Sequence, residues 1–173
     1  HRRAAESVLL ALDPDDERWL LEVAYAQSSI GSVHEARGDL EGALAAYRAN
    51  LEIKERLSAA NPADGTRALE LAQQHNLVGN VLWRSGDLEG AFEHFETDLS
   101  ISQRLVDEDP QHAQWLRQLA ISHGFLSRVQ EHRGEIEAAI FHAEAQRRIA
   151  DGAARADPSN VSWRYSLASG LGF

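Results

Sequence analysis

Apolar residues recur at helical spacing along the chain and divide it into paired segments. One stripe consists of Leu116, Leu119, Ala120, His123, Leu126 and Val129. A second stripe, which follows the glycine of an SGD segment, consists of Leu88, Ala91, Phe92, Phe95, Leu99 and Ser102. Steps of three and four residues place side chains on one side of an α-helix. Each stripe therefore predicts an amphipathic helix with one buried face.

The same pair of stripes returns with a fixed period. The four prolines of the chain, Pro14, Pro62, Pro110 and Pro158, are spaced 48 residues apart. The segment GDLEGALAAYRANLEI at 38–53 returns as GDLEGAFEHFETDLSI at 86–101. On this period three sets of residues align without a gap: Gly38, Gly86 and Gly134; Ala43, Ala91 and Ala139; Ile53, Ile101 and Ile149. Such a period indicates a repeat architecture in which each unit stacks on the next.

Turn residues at fixed positions predict where the helices of each unit end. The aligned glycine can end the first helix, helix A, in the left-handed conformation. Asp39 and Asp87 can then cap the second helix, helix B, whereas Glu135 in the third unit is a weaker cap. The Asn-Pro or Asp-Pro pair ends helix B, because a residue before proline is pushed out of the helical region. Each unit is predicted as helix A, tight turn, helix B and proline turn.

These residues resemble the tetratricopeptide repeat (TPR). The family pattern of an aliphatic-glycine pair, a turn glycine, a small alanine and an aromatic is matched by Ile30-Gly31, Gly38, Ala43 and Tyr47, and again by Val78-Gly79, Gly86, Ala91 and Phe95. The unit is longer than the common one of about 34 residues, as in the longer-helix variety of large bacterial signalling proteins. The third copy departs from the pattern with Ser127 and Ala143. The resemblance implies an all-α fold, a right-handed α-solenoid of antiparallel helix pairs (TPR-like superhelix).

On this period the chain is one array. Residues 1–13 align with the end of a preceding helix B, repeats 1, 2 and 3 span 14–61, 62–109 and 110–157, and residues 158–173 align with the truncated start of a fourth repeat. Stacked repeats need neighbours or polar caps at their open ends. The chain also begins with His1 instead of methionine. We therefore expect the array to be a piece of a longer protein.

Composition narrows the classes of partner. Seventeen basic and 27 acidic residues give a formal net charge of -10, which disfavours nucleic acid and anionic lipid as ligands. No window approaches the roughly 18 apolar residues of a membrane span. Cysteine is absent, which fits the cytoplasm. We expect a cytoplasmic protein, bacterial according to the resemblance, without nucleic-acid or membrane partners.

The sequence contains no recognisable catalytic motif. It lacks G-x-S-x-G, a glycine-rich phosphate loop and H-E-x-x-H. His75 and His123 share one repeat position, and His94 and His142 another, but equivalent side chains in successive repeats lie roughly 10 Å apart and cannot converge on one zinc ion. The acidic run at 13–17 lacks the spacing of a calcium loop. We expect no enzyme activity, no metal and no cofactor.

Positions at which the repeats differ mark a candidate binding surface. Core positions recur because each unit solves the same packing problem, whereas a groove varies along its ligand. In the TPR family the A helices line the concave face, and the resemblance implies three sets of groove residues. They are Tyr25, Ser28, Ser32 and Glu35 in repeat 1, Gln73, Asn76, Asn80, Trp83 and Arg84 in repeat 2, and Ile121, Gly124, Arg128, Glu131 and His132 in repeat 3.

Two pairs in repeat 2 carry the binding hypothesis. Asn76 and Asn80 are one helical turn apart, and their amides offer the donors and acceptors that a peptide backbone needs. Trp83 is replaced by glutamate in the other repeats and lies beside Arg84, a combination typical of binding hot spots. The alternative is that Trp83 packs on the neighbouring helix and that the asparagines are solvated.

The sequence thus predicts a protein-protein interaction scaffold that binds a peptide or protein segment in the concave groove. The partner is a separate protein, another domain of the same protein or a second copy of the chain. The alternative function is a sensor, regulatory or self-association arm of a larger multidomain signalling protein, with an NTPase or protease elsewhere in that protein.

Overall fold

The chain forms six α-helices joined by short turns. The computed structural model describes residues 16–157. The helices are α1 Glu17–Ala36, α2 Leu40–Ala60, α3 Gly65–Ser85, α4 Leu88–Glu108, α5 Ala113–Arg133 and α6 Ile136–Ala156. Between residues 16 and 157 there is no strand, and none of these helices combines the length and apolar character that crossing a membrane requires. The predicted all-α class is confirmed.

The helices alternate between two roles at the predicted period. The A helices are α1, α3 and α5, and the B helices are α2, α4 and α6; each begins 48 residues after the previous helix of its kind. Pro62 and Pro110 lie in the turns that lead from a helix B to the next helix A. Pro14, Pro158 and the partial repeats expected at the two ends lie outside the described residues.

The turns from helix A to helix B have the geometry that the sequence predicts. Three glycines have φ between 76° and 91°, in the left-handed region that glycine adopts without a steric penalty. They are Gly38, Gly86 and Gly134. The carboxylates of Asp39 and Asp87 each accept a hydrogen bond of 2.9 Å from the backbone amide three residues later. Glu135 makes no such bond, as expected for the weaker cap.

A glycine on helix A makes room for an aromatic ring of helix B. Phe95 is fully buried, and a Cβ atom on Gly79 would lie 2.7 Å from its ring. In repeat 3 the equivalent pair is Ser127 and Ala143. The Ser127 hydroxyl donates a hydrogen bond of 2.9 Å to a backbone carbonyl of α6. The small alanine leaves the space that the serine needs, so the two departures from the repeat pattern compensate each other.

One apolar core runs through all three repeats. Tyr47, Val78, Phe95 and Leu126 belong to a single cluster and are nearly inaccessible to solvent. Each helix packs against the next along the chain, and α3 also contacts α5, whereas no two B helices contact each other in the described part of the chain. The A helices α3 and α5 therefore approach each other more closely than any two B helices do. The predicted solenoid of helix pairs is confirmed.

Candidate binding surface

Helix α3 presents one row of side chains to solvent along its length. Thr66, Gln73, Leu77 and Arg84 are exposed, and Asn80 is half-buried. Their spacing places them on one side of the helix. The equivalent accessible residues are Arg18, Tyr25, Ser29, Ser32 and Ala36 on α1, and Gln114, Ile121, Phe125, Arg128 and His132 on α5. We call these three rows the A-helix wall.

Between α3 and α5 the wall opens into a cleft of about 470 Å³. Its lining includes Glu70, Gln73, Gln114, Arg117, Gln118 and Ile121. Three glutamine amides and one side chain of each charge surround this space, so the cleft offers both hydrogen-bond donors and acceptors. Gln73 and Ile121, which the sequence predicted at equivalent positions, both line it.

An ion pair joins the wall between repeats 1 and 2. The guanidinium of Arg84 contacts the carboxylate of Glu35, and the hydroxyl of Tyr47 donates a 2.9 Å hydrogen bond to the same carboxylate. Burial, followed by the hydrogen bond to Glu35, raises the pKa of Tyr47 to about 12. Two residues predicted to meet a ligand, Glu35 and Arg84, thus meet each other.

Trp83 is half-buried against the next helix A. Its ring meets His132 edge-on with centroids 5.6 Å apart, and Phe125 edge-on at 6.4 Å. Edge-to-face contacts of this kind stabilise aromatic packing. These contacts correspond to the packing alternative for Trp83. Trp83 and His132 are the repeat equivalents of Glu35 and Arg84. The aromatic contact therefore joins repeats 2 and 3 where the ion pair joins repeats 1 and 2.

Asn76 binds a buried carboxylate and does not belong to the exposed row of α3. Its Nδ2 donates a hydrogen bond of 3.2 Å to Asp98, and Gln118 Nε2 lies 2.9 and 3.1 Å from the two Asp98 oxygens. Asp98 is completely buried. Burial raises its pKa to about 6, against the opposing effect of these hydrogen bonds. Asn76 therefore stabilises a contact between helices, whereas Asn80 lies on the A-helix wall.

The other predicted residues divide between the wall and contacts inside the array. Ser28 Oγ accepts a 2.6 Å hydrogen bond from Asn50 of α2, and Gly124 is buried. The guanidinium of Arg128 lies over the Phe125 ring, 5.7 Å from its centroid. The exposed members of the predicted set are Tyr25, Ser32, Gln73, Arg84, Glu131 and His132.

Sequence reasoning missed the position occupied by Leu77 and Phe125. Leu77 is 38% exposed and lies midway between Gln73 and Asn80 on the wall. A step of four residues from Gln73 leads to Leu77, but the prediction used a step of three and selected Asn76. On α3 the wall therefore has an apolar centre with polar side chains on both sides, a feature that the same helical spacing could have revealed.

Two histidine pairs join helix A to helix B inside repeats 2 and 3. The Nδ1 atoms of His75 and His94 are 3.0 Å apart, and those of His123 and His142 are 2.8 Å apart. Because the two nitrogens are within hydrogen-bond distance, one donates its N–H and the other accepts; the ring centroids are 5.2 and 5.1 Å apart. Burial lowers the pKa of all four, to about 4 for His75 and His123.

The histidine pairs are packing contacts in the described structure. Comparing equivalent positions of different repeats missed them, because each pair forms within one repeat. Among residues 16–157 no group of three or more histidine, aspartate or glutamate side chains is arranged to hold a metal ion. Each pair joins its two helices through a hydrogen bond between the rings.

The match to one family model agrees with the repeat period. The tetratricopeptide repeat family model matches residues 23–64 and 71–112, two segments whose starts are 48 residues apart. Among solved structures, a crystal structure of the MamA protein is similar at 12% sequence identity and a TM-score of 0.22, covering 79% of this chain and 96% of that chain. The comparison with curated proteins gives no match. Residues 23–64 and 71–112 belong to the tetratricopeptide-repeat superfamily.

Proposed function

We propose that the chain is a protein-interaction scaffold whose A-helix wall binds an extended peptide segment. One observation carries this proposal. Helix α3 packs against α2, α4 and α5, yet a full row of its side chains, from Thr66 to Arg84, stays accessible. Such a row on the inner side of a solenoid is the surface that a ligand can reach and that stacking does not use.

The chemistry of the wall suits a peptide. The amides of Gln73 and Asn80 can pair with backbone N–H and C=O groups. Leu77 between them, with Phe125 on the neighbouring row, provides apolar area for one side chain. Three A helices at roughly 10 Å spacing would support a segment of about nine extended residues.

Catalysis is not part of this proposal. The side chains with strongly shifted pKa are Tyr47, His75, Asp98 and His123, and they lie in contacts between helices. None of them lines the cleft between α3 and α5. A general acid or base must reach its substrate, and these groups face their own partners.

A peptide selected from a random nonapeptide display library supplies the probe. Its affinity is measured by fluorescence anisotropy against the unmodified chain, Leu77→Ala and Asn80→Ala. Each substitution should weaken binding roughly tenfold, since contacts at the centre of an interface carry about 1.4 kcal/mol or more. Glu96→Ala, an exposed position on α4, is the matched control and should bind like the unmodified chain.

Circular dichroism confirms that each variant keeps its helix content. If the library yields no binder, or if the selected peptide binds both wall variants as tightly as the unmodified chain, the A-helix wall is not the binding surface.

A further inference from the structure

Charge is distributed unevenly between the A-helix wall and the rest of the array. The three rows of the wall contain arginines but no aspartate or glutamate. Carboxylates are concentrated on the neighbouring helix B, where α4 exposes Glu89, Glu93, Glu96, Asp107 and Glu108. Exposed charges are screened over about 8 Å at physiological salt. The formal net charge of -10 therefore does not describe the surroundings of a ligand on the wall.

One cation of the wall has no carboxylate partner. The arginines of the three rows are Arg18, Arg84 and Arg128. Arg18 pairs with Asp16 at 3.2 Å, and Arg84 pairs with Glu35. Arg128 forms no ion pair with any residue between 16 and 157. Its guanidinium can therefore meet a ligand carboxylate without displacing another one.

Aromatic packing between repeats 2 and 3 holds this guanidinium in place. It lies over the ring of Phe125, 5.7 Å from the centroid. Phe125 stacks on Phe95 of α4 with centroids 4.9 Å apart, and it meets Trp83 of α3 edge-on. The ring that holds Arg128 is thus fixed between two described repeats. A contact with an aromatic ring leaves the N–H groups at the edge of the guanidinium available for a carboxylate.

The distance between ring and guanidinium indicates the spacing of the ligand side chains. Leu77 and Phe125 provide the apolar area of the wall, and the guanidinium of Arg128 is 5.7 Å from the Phe125 centroid. Alternate residues of an extended chain project to the same side about 6.6 Å apart. A ligand residue on the ring and the residue two positions away can therefore reach both groups. The planar fork of arginine matches a carboxylate in geometry and charge.

We propose that the A-helix wall selects a peptide with an aspartate or glutamate two positions from an apolar residue. This inference rests on the proposed function, because it names the ligand class of the same surface. The carboxylate pairs with Arg128, and the apolar side chain covers Leu77 and Phe125. The repeat equivalents of Arg128 are Asn80 and Ser32, which carry no charge. The acidic residue thus has one place along the described wall and fixes the register of the peptide.

Selection from the random nonapeptide library tests the proposal. Enriched sequences should contain aspartate or glutamate two positions from a large apolar residue. One such peptide is synthesised with an amidated carboxyl end, so that only side chains supply carboxylates, and again with the acidic residue replaced by its amide. The replacement should weaken binding to the unmodified chain about fivefold, the upper range for a partly exposed ion pair.

Two variants assign this preference to Arg128. Arg128→Asn introduces the equivalent residue of repeat 2 and should bind the acidic peptide and its amide form equally. Arg147→Asn removes an exposed guanidinium of α6; it is the matched control and should keep the fivefold preference. Circular dichroism confirms that both variants keep their helix content.

Salt separates the local contact from the charge of the whole chain. Added salt should weaken binding of the acidic peptide to the unmodified chain, because it screens the attraction to Arg128. Tighter binding with added salt would mean that repulsion by the net negative charge dominates, and it would overturn the proposal.

Failure of this inference differs from failure of the proposed function. If no peptide is selected, or if the selected peptide binds Leu77→Ala as tightly as the unmodified chain, the proposed function fails and this inference fails with it. If binding requires Leu77 but the enriched sequences lack the acidic residue, or if Arg128→Asn keeps the preference for it, only the assignment of an acidic ligand to Arg128 is wrong.

Discussion

At the residue scale, buried ionisable groups make the fold sensitive to pH in two opposite directions. The histidine pKa values are lowered, so the stability that they contribute is present above pH 6.5 and is lost as the pH falls towards 4. The Asp98 pKa is raised to about 6, so its contribution is present below pH 3.8 and is lost as the pH rises through 6. Four histidines destabilise the fold as the pH falls, whereas one aspartate has the opposite effect. We therefore expect acid to lower the free energy of unfolding.

Transplanting the residues of repeat 1 into repeat 2 tests this balance. The variant His75→Gln/His94→Ala introduces the equivalents Gln27 and Ala46. The free energy of unfolding should fall between pH 7 and pH 5 in both proteins. The fall should be smaller in the variant, by about 2 kcal/mol, because the variant lacks the histidine whose pKa is lowered in the fold. Urea unfolding at the two pH values measures the difference. An unchanged pH dependence would show that the pair does not hold its neutral form in the fold.

At the element scale, the helices could be predicted because their boundaries depend on local rules. The left-handed glycine, the aspartate cap and the proline stop each act within one helical turn. The contacts between helices could not be read in this way. His75 and His94 are 19 residues apart and Asn76 and Asp98 are 22 apart, so their pairing depends on how two helices cross.

The contact between Gly79 and Phe95 gives a prediction at this scale. Gly79→Ser should lower the free energy of unfolding by about 1 to 3 kcal/mol, because its Cβ meets the Phe95 ring. Phe95→Ala should lower it by about 3 to 5 kcal/mol, because it leaves a cavity. The double variant reproduces Ser127 and Ala143 of repeat 3. Its loss of unfolding free energy should be smaller than the sum of the two single losses, by about 1 kcal/mol or more.

Urea unfolding of the four chains measures this coupling. Gly152→Ser is the matched control, because a Cβ atom there has no neighbour within 4 Å, and it should leave stability nearly unchanged. Strictly additive costs for the Gly79 and Phe95 substitutions would contradict the packing described for α3 and α4.

At the scale of the whole molecule, the repeat separates the surfaces used for stacking from the A-helix wall, which stays open. The sequence placed Tyr25, Gln73 and Asn80 on that surface, because positions that vary between repeats are visible in an aligned period. It also assigned Asn76 and Trp83 there, although both face neighbouring helices. Neighbouring residues of a helix point in directions about 100° apart. An error of one position in the prediction therefore selects a residue that packs on a neighbouring helix in place of one on the open wall.

Photocrosslinking with the selected nonapeptide tests most directly whether the A-helix wall is the binding surface. A photoreactive group at the centre of the peptide is activated in the complex, and mass spectrometry locates the attachment sites. We expect attachment on α3 at Gln73, Leu77 or Asn80, and on the facing row of α5. Attachment confined to the outer B helices, for example at Glu96 of α4, would contradict the assignment.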